Sequence, residues 1–336
     1  MTFKVGITRD LLMAKGEPAF GLRALEVLKV PGIEWEWLPA DVPEITPDIA
    51  ARYDALHVNI PRVTEASVGR TDCRVKVIAR NGVGFDSVDL AACTRKKIFV
   101  TNTPLAVRRP VAVATLTLIF ALAGRLLKKN EIVRQDRWND RTSYMGQGLT
   151  SRTLGLVGAG GIGQELMPLA RPFFARLLAA DPFADAAKLR SLGTELVPLP
   201  RLMAESDFLV VCCQLDETTR HLINAACFAA MKPTAYVINV ARGPIVDEPA
   251  LIQALQDGWI AGAGLDVTTQ EPIEADNPLL GMDNVIITPH ALCWTDECFH
   301  DIAATALTSI LEVAQGRIPA HVVNRNVLTS DPLTSR

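Results

Sequence analysis

One turn limits the folds open to this chain more than any other stretch: Gly158-Ala159-Gly160-Gly161-Ile162-Gly163. It follows the apolar run Leu154-Gly155-Leu156-Val157 and opens a helical pattern that continues to Phe174. Glycines spaced Gly-x-Gly-x-x-Gly between a buried strand and a helix predict a βαβ crossover in a parallel sheet. Gly158 permits the tight turn, Gly160 lets the backbone approach a pyrophosphate, and Gly163 lets helix and strand pack closely. The helix N-terminus, with its unpaired N–H groups, favours the negative charge. The spacing alone is weak evidence. In this context it predicts a dinucleotide site built on Gly158, Gly160, Gly161, Ile162 and Gly163.

Eighteen residues past Gly163 stands Asp181, at the end of the next apolar run, Arg176–Ala180. A carboxylate there accepts hydrogen bonds from a ribose 2′-OH and repels a 2′-phosphate, which favours NAD over NADP. The competing reading is that Asp181 only caps the Asp181-Pro182 turn.

The rest of the second half keeps the same rhythm. Thr153–Val157, Arg176–Ala180, Asp207–Cys212, Tyr236–Val240, Gly262–Val267 and Val285–Thr288 read as buried strands, each bounded by Gly, Pro or Asp. Helical stretches such as Glu248–Gln256 lie between most of them. Alternation of this kind implies a doubly wound parallel sheet of Rossmann type. The first hundred residues alternate separately, through Phe3–Thr8, Ile33–Leu38, Ala55–Val58, Val77–Ala79 and Ile98–Thr101. They predict a smaller, flavodoxin-like α/β domain. The expected division is 1–104 with 293–336 for this second, substrate-binding domain and 105–292 for the cofactor domain. A helix over about Pro110–Arg134 is expected to cross between the domains. An amphipathic helix over Asp296–Gln315 is expected to return to the first domain, and Thr329–Arg336 reads as a loose end.

Bulk properties exclude several roles. With 34 basic and 37 acidic residues the net charge is −3, so there is no basic excess to neutralise nucleic acid. The N-terminus enters a strand pattern directly, without the charged and apolar regions of a signal peptide. The apolar run Val111–Ala123 is well short of the roughly 20 residues that span a bilayer. No membrane role is expected, and the location expected is cytoplasmic. Seven scattered cysteines fit reduced, buried thiols. Cys212 and Cys213 read as adjacent strand residues on opposite faces, and no cysteine or histidine spacing suggests a metal.

Three ionisable residues follow apolar runs downstream of the turn. They are Arg242 in Asn239-Val240-Ala241-Arg242-Gly243, Glu271 before Pro272, and His290 after Thr288-Pro289. An arginine can hold a carboxylate, a histidine can move a proton near neutral pH, and a glutamate can orient that histidine. Beside a dinucleotide site these are the parts needed for hydride transfer at a 2-hydroxy acid. The cofactor carries the difficult chemistry, so neither a nucleophile nor a metal is required.

These motifs resemble the D-isomer-specific 2-hydroxyacid dehydrogenase family. The likeness runs from about Arg80 to the C-terminus. It takes in Gly82-Val83-Gly84-Phe85-Asp86, Asn102-Thr103-Pro104, the glycine turn, Thr219-Arg220-His221-Leu222-Ile223-Asn224 and Asn239–Glu248. It continues through Gly264-Leu265-Asp266-Val267, Glu271-Pro272, Asn277-Pro278-Leu279-Leu280 and Asn284–His290. The resemblance implies a homodimer of two-domain subunits with the site in the interdomain cleft. It implies that Arg242 binds the substrate carboxylate, that His290 exchanges the hydroxyl proton, and that Glu271 holds the imidazole and raises its pKa. It places Asn81, Val83 and Gly84 on the carboxylate, and Thr219, Val240, Ala241, Arg242, Asp266 and His290 along the cofactor.

The chain also departs from the family. Val58-Asn59-Ile60-Pro61 stands where phosphoglycerate members resemble Arg-Ser-x-Thr, and Glu271 replaces the glutamine of formate dehydrogenases. Ala291-Leu292-Cys293-Trp294-Thr295-Asp296 replaces a small, glycine-rich segment. Trp294 is a candidate wall of the substrate site or a packing residue. Arg108-Arg109 form either a solvated basic turn or a contact for an acidic substrate tail, and Arg80 is equally open. The expected activity is interconversion of a small D-2-hydroxy acid and its 2-oxo acid, of glyoxylate or hydroxypyruvate size or sugar-derived. The alternatives are an NAD(H)-sensing, corepressor-like module and a dehydrogenase of an unusual donor.

Overall fold

The computed structural model describes residues 2–329, so all but the first residue of the expected loose end Thr329–Arg336 lies outside the described residues. The chain divides into two compact units. One combines the segment up to Val107 with the segment from Trp294 onward, and the other is Arg108–Cys293.

The first unit is built on five parallel strands: β1 (Phe3–Ile7), β2 (Ile33–Trp37), β3 (Ala55–Val58), β4 (Val77–Arg80) and β5 (Phe99–Thr101). Their order, β2-β1-β3-β4-β5, is the flavodoxin-like arrangement. Side chains alternate between two cores. Val5, Ile7, Ala55, Val77 and Ala79 pack on one face against Phe299, Ala303, Ala306, Leu307 and Ile310. Leu56, Val58, Ile78 and Val100 pack on the other, with Tyr53, Ala92 and Cys93. The helix Asp296–Ala314 supplies Phe299 to Ile310 and therefore belongs to this unit. It begins where Thr295 Oγ1 accepts a hydrogen bond from Cys298 N, an N-cap that satisfies one orphan donor.

The second unit is a seven-stranded parallel sheet. Its strands are β6 (Thr153–Val157), β7 (Arg176–Ala180), β8 (Thr194–Leu196), β9 (Phe208–Val211), β10 (Tyr236–Asn239), β11 (Gly262–Leu265) and β12 (Val285–Ile287). The order β12-β11-β10-β9-β6-β7-β8 reverses direction between β6 and β9. Leu154, Leu156, Leu177, Phe208, Val210 and Ile238 face one core, and Val157, Leu178, Leu209, Val211, Val237 and Ala263 face the other. Each of the larger side chains, fully buried, contributes roughly 1.5–3 kcal/mol.

Four details differ from the sequence reading. Strand β8 was not anticipated. It is three residues long, lies at the sheet edge and carries an exposed Glu195, so it has no apolar run to announce it. The helix expected over Pro110–Arg134 is two helices, Arg108–Gly124 and Leu126–Arg134, bent by 56°. Arg125 takes a left-handed φ of +49° at the break, directly after a glycine. The helix expected to reach Phe174 stops at Ala170, just before Pro172. Strand β9 stops at Val211, so Cys212 and Cys213 follow the strand instead of lying in it. Among the described residues no single helix is long and apolar enough to cross a membrane.

Candidate active site

All seven strands of the larger sheet run the same way, so their C-terminal ends share one edge. The strand order reverses between β6 and β9, and ligands of such sheets bind at the C-terminal edge of a reversal of this kind. The glycine turn follows β6, Asp181 follows β7, Arg242 comes after β10, and Asp266 follows β11. Glu271 lies in the segment after β11, and His290 in the segment after β12.

The turn has the shape a pyrophosphate needs. Gly158 has a φ of +97°, and a Cβ there would lie 2.6 Å from the backbone N of Cys213. A Cβ on Gly163 would lie 2.8 Å from Gly158 O, so helix and turn pack without room for a side chain. Among the described residues, its own chain neighbours aside, nothing lies within 4 Å of the Cβ position of Gly160, which leaves that backbone open to an approaching group. Ile162 is half-buried in the first turn of the helix. Asp181 is tied to the same turn: Ala159 N donates to its Oδ2 at 2.7 Å, and Phe183 N donates to its Oδ1 at 2.8 Å. Both roles considered for Asp181 are thus geometrically compatible, because each carboxylate oxygen keeps a second lone pair. The Cys212 thiol donates to Gly158 O at 3.1 Å, and burial pushes its pKa up, so it is held as a neutral thiol. The half-buried Thr219 closes its own loop, with Oγ1 donating to Gln214 O at 2.7 Å.

The sheet edge brings the ionisable residues together. His290 Nδ1 lies 2.8 Å from Glu271 Oε2, and both side chains are roughly two-fifths exposed. The other oxygen of Glu271 accepts from Thr268 N at 3.2 Å. Burial works against the charged carboxyl. The hydrogen bond and charge of His290, the Thr268 N–H and the charge of Arg242 outweigh it and hold Glu271 below the ordinary carboxylate range. An ionised Glu271 accepts from Nδ1–H, which leaves Nε2 as the free nitrogen of His290. Arg242 is half-buried, with Nη1 donating to Ala241 O at 2.7 Å. Asn239 fixes that loop through Ala241 N and Arg242 O. Val240 and Ala241 are half-buried beside it.

Two supports escaped the sequence reading. Gly243 is pressed against the segment that leads to Glu271: a Cβ on it would fall 2.0 Å from Thr268 O. Only glycine lets the Arg242 and Glu271 loops come this close, although the fingerprint Arg-Gly was visible in the chain. Asp266, buried at the end of β11, accepts at Oδ1 from Thr288 Oγ1 at 2.6 Å and from the backbone N of Ala291 and Leu292 at 3.2 Å. It therefore clasps the loop that bears His290, in addition to the place along the cofactor implied by resemblance. His290 itself has a φ of +53°, an uncommon left-handed conformation for a residue with a Cβ.

The smaller unit holds the remaining candidates. Asn81 N donates to Val58 O at 2.8 Å, so this N–H is spent on the sheet end. Those of Gly82, Val83 and Gly84 have no hydrogen-bond partner among the described residues. Asn81 Oδ1 lies 3.1 Å from Nε2 of the fully buried His57. Asn81 Nδ2 continues to Asn59 Oδ1 at 3.3 Å, and Asn59 Nδ2 to Asp10 Oδ2 at 2.7 Å. Nothing in the run Ala55-Leu56-His57-Val58 distinguishes His57 from a strand residue, so no local signal reveals this network. Arg80 is not a free cation for substrate. Its guanidinium donates to Val58 O at 2.9 Å, to Asn59 O, and to Gly84 O at 3.2 Å, pinning the loop. Trp294 is 47% exposed and lies 4.6 Å, ring to ring, from Phe299 of its own unit.

The basic pair Arg108-Arg109 opens the helix Arg108–Gly124, with Arg109 exposed. Arg109 forms an ion pair with Glu165, and Arg108 is half-buried against Gly161. Among the described residues no group of three or more His, Cys, Asp or Glu side chains is placed to hold a metal ion.

Known proteins match this architecture. A family model described as D-isomer specific 2-hydroxyacid dehydrogenase, NAD binding domain, matches residues 116–291. A glyoxylate reductase of Korarchaeum cryptofilum is 36% identical over 282 residues, which span 83% of this chain and 85% of that one. The solved TT0316 protein of Thermus thermophilus is 31% identical with a TM-score of 0.84, covering 96% of this chain and 100% of its own. A D-lactate dehydrogenase from Aquifex aeolicus, solved with NAD and lactic acid, is 27% identical with a TM-score of 0.83, covering 95% of this chain and 99% of its own.

Proposed function

This chain belongs to the D-isomer-specific 2-hydroxyacid dehydrogenase family, an oxidoreductase acting on CH–OH donors with NAD(P), and from that premise we propose that it reduces a small 2-oxo acid to the D-2-hydroxy acid and runs the reverse. The observation that carries the reading is the His290–Glu271 pair, 2.8 Å apart in the charge field of Arg242, on the edge that bears the glycine turn. The nicotinamide, when bound, supplies or accepts the hydride. Arg242 holds the substrate carboxylate through charge-assisted hydrogen bonds and polarises the reacting oxygen. His290 gives the proton to that oxygen from Nε2 on reduction and takes it back on oxidation. Glu271 fixes the tautomer and stabilises the imidazolium through Nδ1. The resemblance supports a share for the Asn81–Gly84 loop in binding the carboxylate, with the N–H groups of Val83 and Gly84 as donors. Trp294 remains assigned to the substrate on sequence position alone.

The substrate class we favour is that of glyoxylate and hydroxypyruvate, supported by the glyoxylate reductase relatives. NADH oxidation by the purified protein across glyoxylate, hydroxypyruvate, pyruvate, oxaloacetate, bulky apolar acids and sugar-derived acids tests this. Fastest turnover is expected with the two smallest polar acids. No turnover with any of them, despite tight NADH binding, would move the assignment to a nucleotide sensor or an unusual donor.

For the cofactor we propose NAD, on the carboxylate of Asp181 beside the turn. Asp181→Ala removes charge-assisted acceptors worth about 1.5–3 kcal/mol, so NADH affinity is expected to fall about 10–100-fold while NADPH affinity holds or rises. Titrations with both cofactors that leave their ratio unchanged would reduce Asp181 to a turn residue.

The homodimer implied by resemblance would also account for the exposed apolar side chains Val113, Phe120, Leu126, Leu127 and Val133 on the bent helix pair.

A further inference from the structure

Gly161 is glycine for a reason its backbone does not supply. It opens the helix Gly161–Ala170 and is not among the positive-φ glycines, so its conformation suits any residue. The dinucleotide fingerprint leaves this position free. What a side chain there would displace is Arg108: a Cβ on Gly161 would lie 2.5 Å from Arg108 Nε and 2.9 Å from its Cζ, so the guanidinium keeps this position only beside a glycine. Arg108 is the first residue of the helix Arg108–Gly124, which packs along Gly161–Ala170. Its neighbour Arg109 is anchored to Glu165 of that second helix, which fixes the end of the first one there. Arg108 itself is half-buried and makes no hydrogen bond or ion pair among the described residues.

This placement is electrostatically odd for an empty turn. A helix N-terminus carries a positive partial charge and unpaired N–H groups, so a guanidinium beside it is repelled. An anion between the two reverses the sign of both interactions. We propose that Arg108 is a pyrophosphate-binding residue, closing over the dinucleotide from the side opposite the N–H groups of the glycine turn, and that Gly161 is the gap that admits it. The proposal rests on reading the turn as the cofactor site. It takes Arg108 away from the substrate-tail role that its position in the sequence allowed. A guanidinium suits the task because its planar fork matches two phosphate oxygens at once.

Two variants approach the same contact from opposite sides. Arg108→Met keeps the packing stem and removes the charge. Gly161→Ala keeps the charge and displaces the guanidinium. NADH binding is followed by nucleotide fluorescence at low and high salt, with adenosine, which lacks the pyrophosphate, as the second probe. Both variants are expected to weaken NADH about 10–100-fold, to flatten its salt dependence, and to leave adenosine affinity within about twofold. Thermal melting of the free proteins identifies any variant that has lost its fold, and the other variant then decides. NADH affinity unchanged in a folded Arg108→Met would overturn the role of Arg108. Failure of the wild-type protein to bind either NADH or NADPH would instead overturn the reading of the turn.

Discussion

Replacing His290 with alanine is expected to lower kcat by about 10²–10⁴-fold while NADH still binds, since that is the usual worth of a positioned general acid–base group. The geometry says why the loss falls on turnover. Nδ1 is taken by Glu271 at 2.8 Å, so the imidazole presents Nε2 in a fixed orientation. When hydride leaves carbon a proton must leave oxygen, and among the described residues His290 is the histidine whose ring is hydrogen-bonded to Glu271; His221, after β9 on the same edge, is tied by its backbone N to Pro244 O at 2.9 Å. The glycine turn and Asp181 are untouched by the change, so NADH should still bind, within a few-fold of the wild-type affinity. The melting temperature should not drop, because the side chain is 42% exposed and the loop is held by Asp266 from below. Stopped-flow and steady-state rates on the best 2-oxo acid provide the check. A variant that turns over within a few-fold of wild type would remove His290 from the chemistry.

The second large effect concerns stability and has its source in the other unit. His57 is wholly buried, and that burial lowers its pKa from 6.5 to about 4, against the pull of its bond to Asn81. Because the folded value is depressed, the unfolded chain takes up the proton first as pH falls. The stabilisation is complete above the unfolded value of 6.5 and is lost as pH drops towards 4. A shift from 6.5 to about 4 at about 1.4 kcal/mol per unit makes the loss about 3 kcal/mol, a large share of a normal folding free energy. Glu271, also depressed, begins to add its own loss as pH falls through its ordinary value of 4.5, at the acid end of this window and equally in both proteins compared below. Urea unfolding at pH 7, 6, 5 and 4.5 should show the decline in wild type. In His57→Gln, which can still donate to Asn81 Oδ1 but does not titrate, the decline should be much smaller. Equal slopes in the two proteins would mean that His57 is not the group responsible.

The reach of the sequence follows from how local each signal is. The glycine turn and the strand–helix rhythm are local, and they led to the two parallel sheets. Arg242, Glu271 and His290 could be singled out because each follows an apolar run whose far end must be a sheet edge. Strand β8 could not, since Thr194-Glu195-Leu196 owes its pairing to Leu177–Ala179 and not to its own pattern. The break at Gly124-Arg125 is hidden because apolar residues continue on both sides of it. His57, Asn59 and Asp10 lie at the ends of strands separated by about 50 residues in the chain, and only the parallel register brings them together. Arg108 meets Gly161 only because two helices lie side by side. A spare glycine was the sole trace of that contact in the chain.

His290 sits in the left-handed region, which glycine or asparagine would occupy with less strain, at a cost of order 1 kcal/mol or more for the residue present. A search for heat-resistant variants that ranks substitutions by folding alone will therefore nominate this position for repair. The same conformation marks the position as one that stability screens should hold fixed. On the proposed role of His290, a sturdier protein obtained by relaxing this backbone is expected to be an inert one.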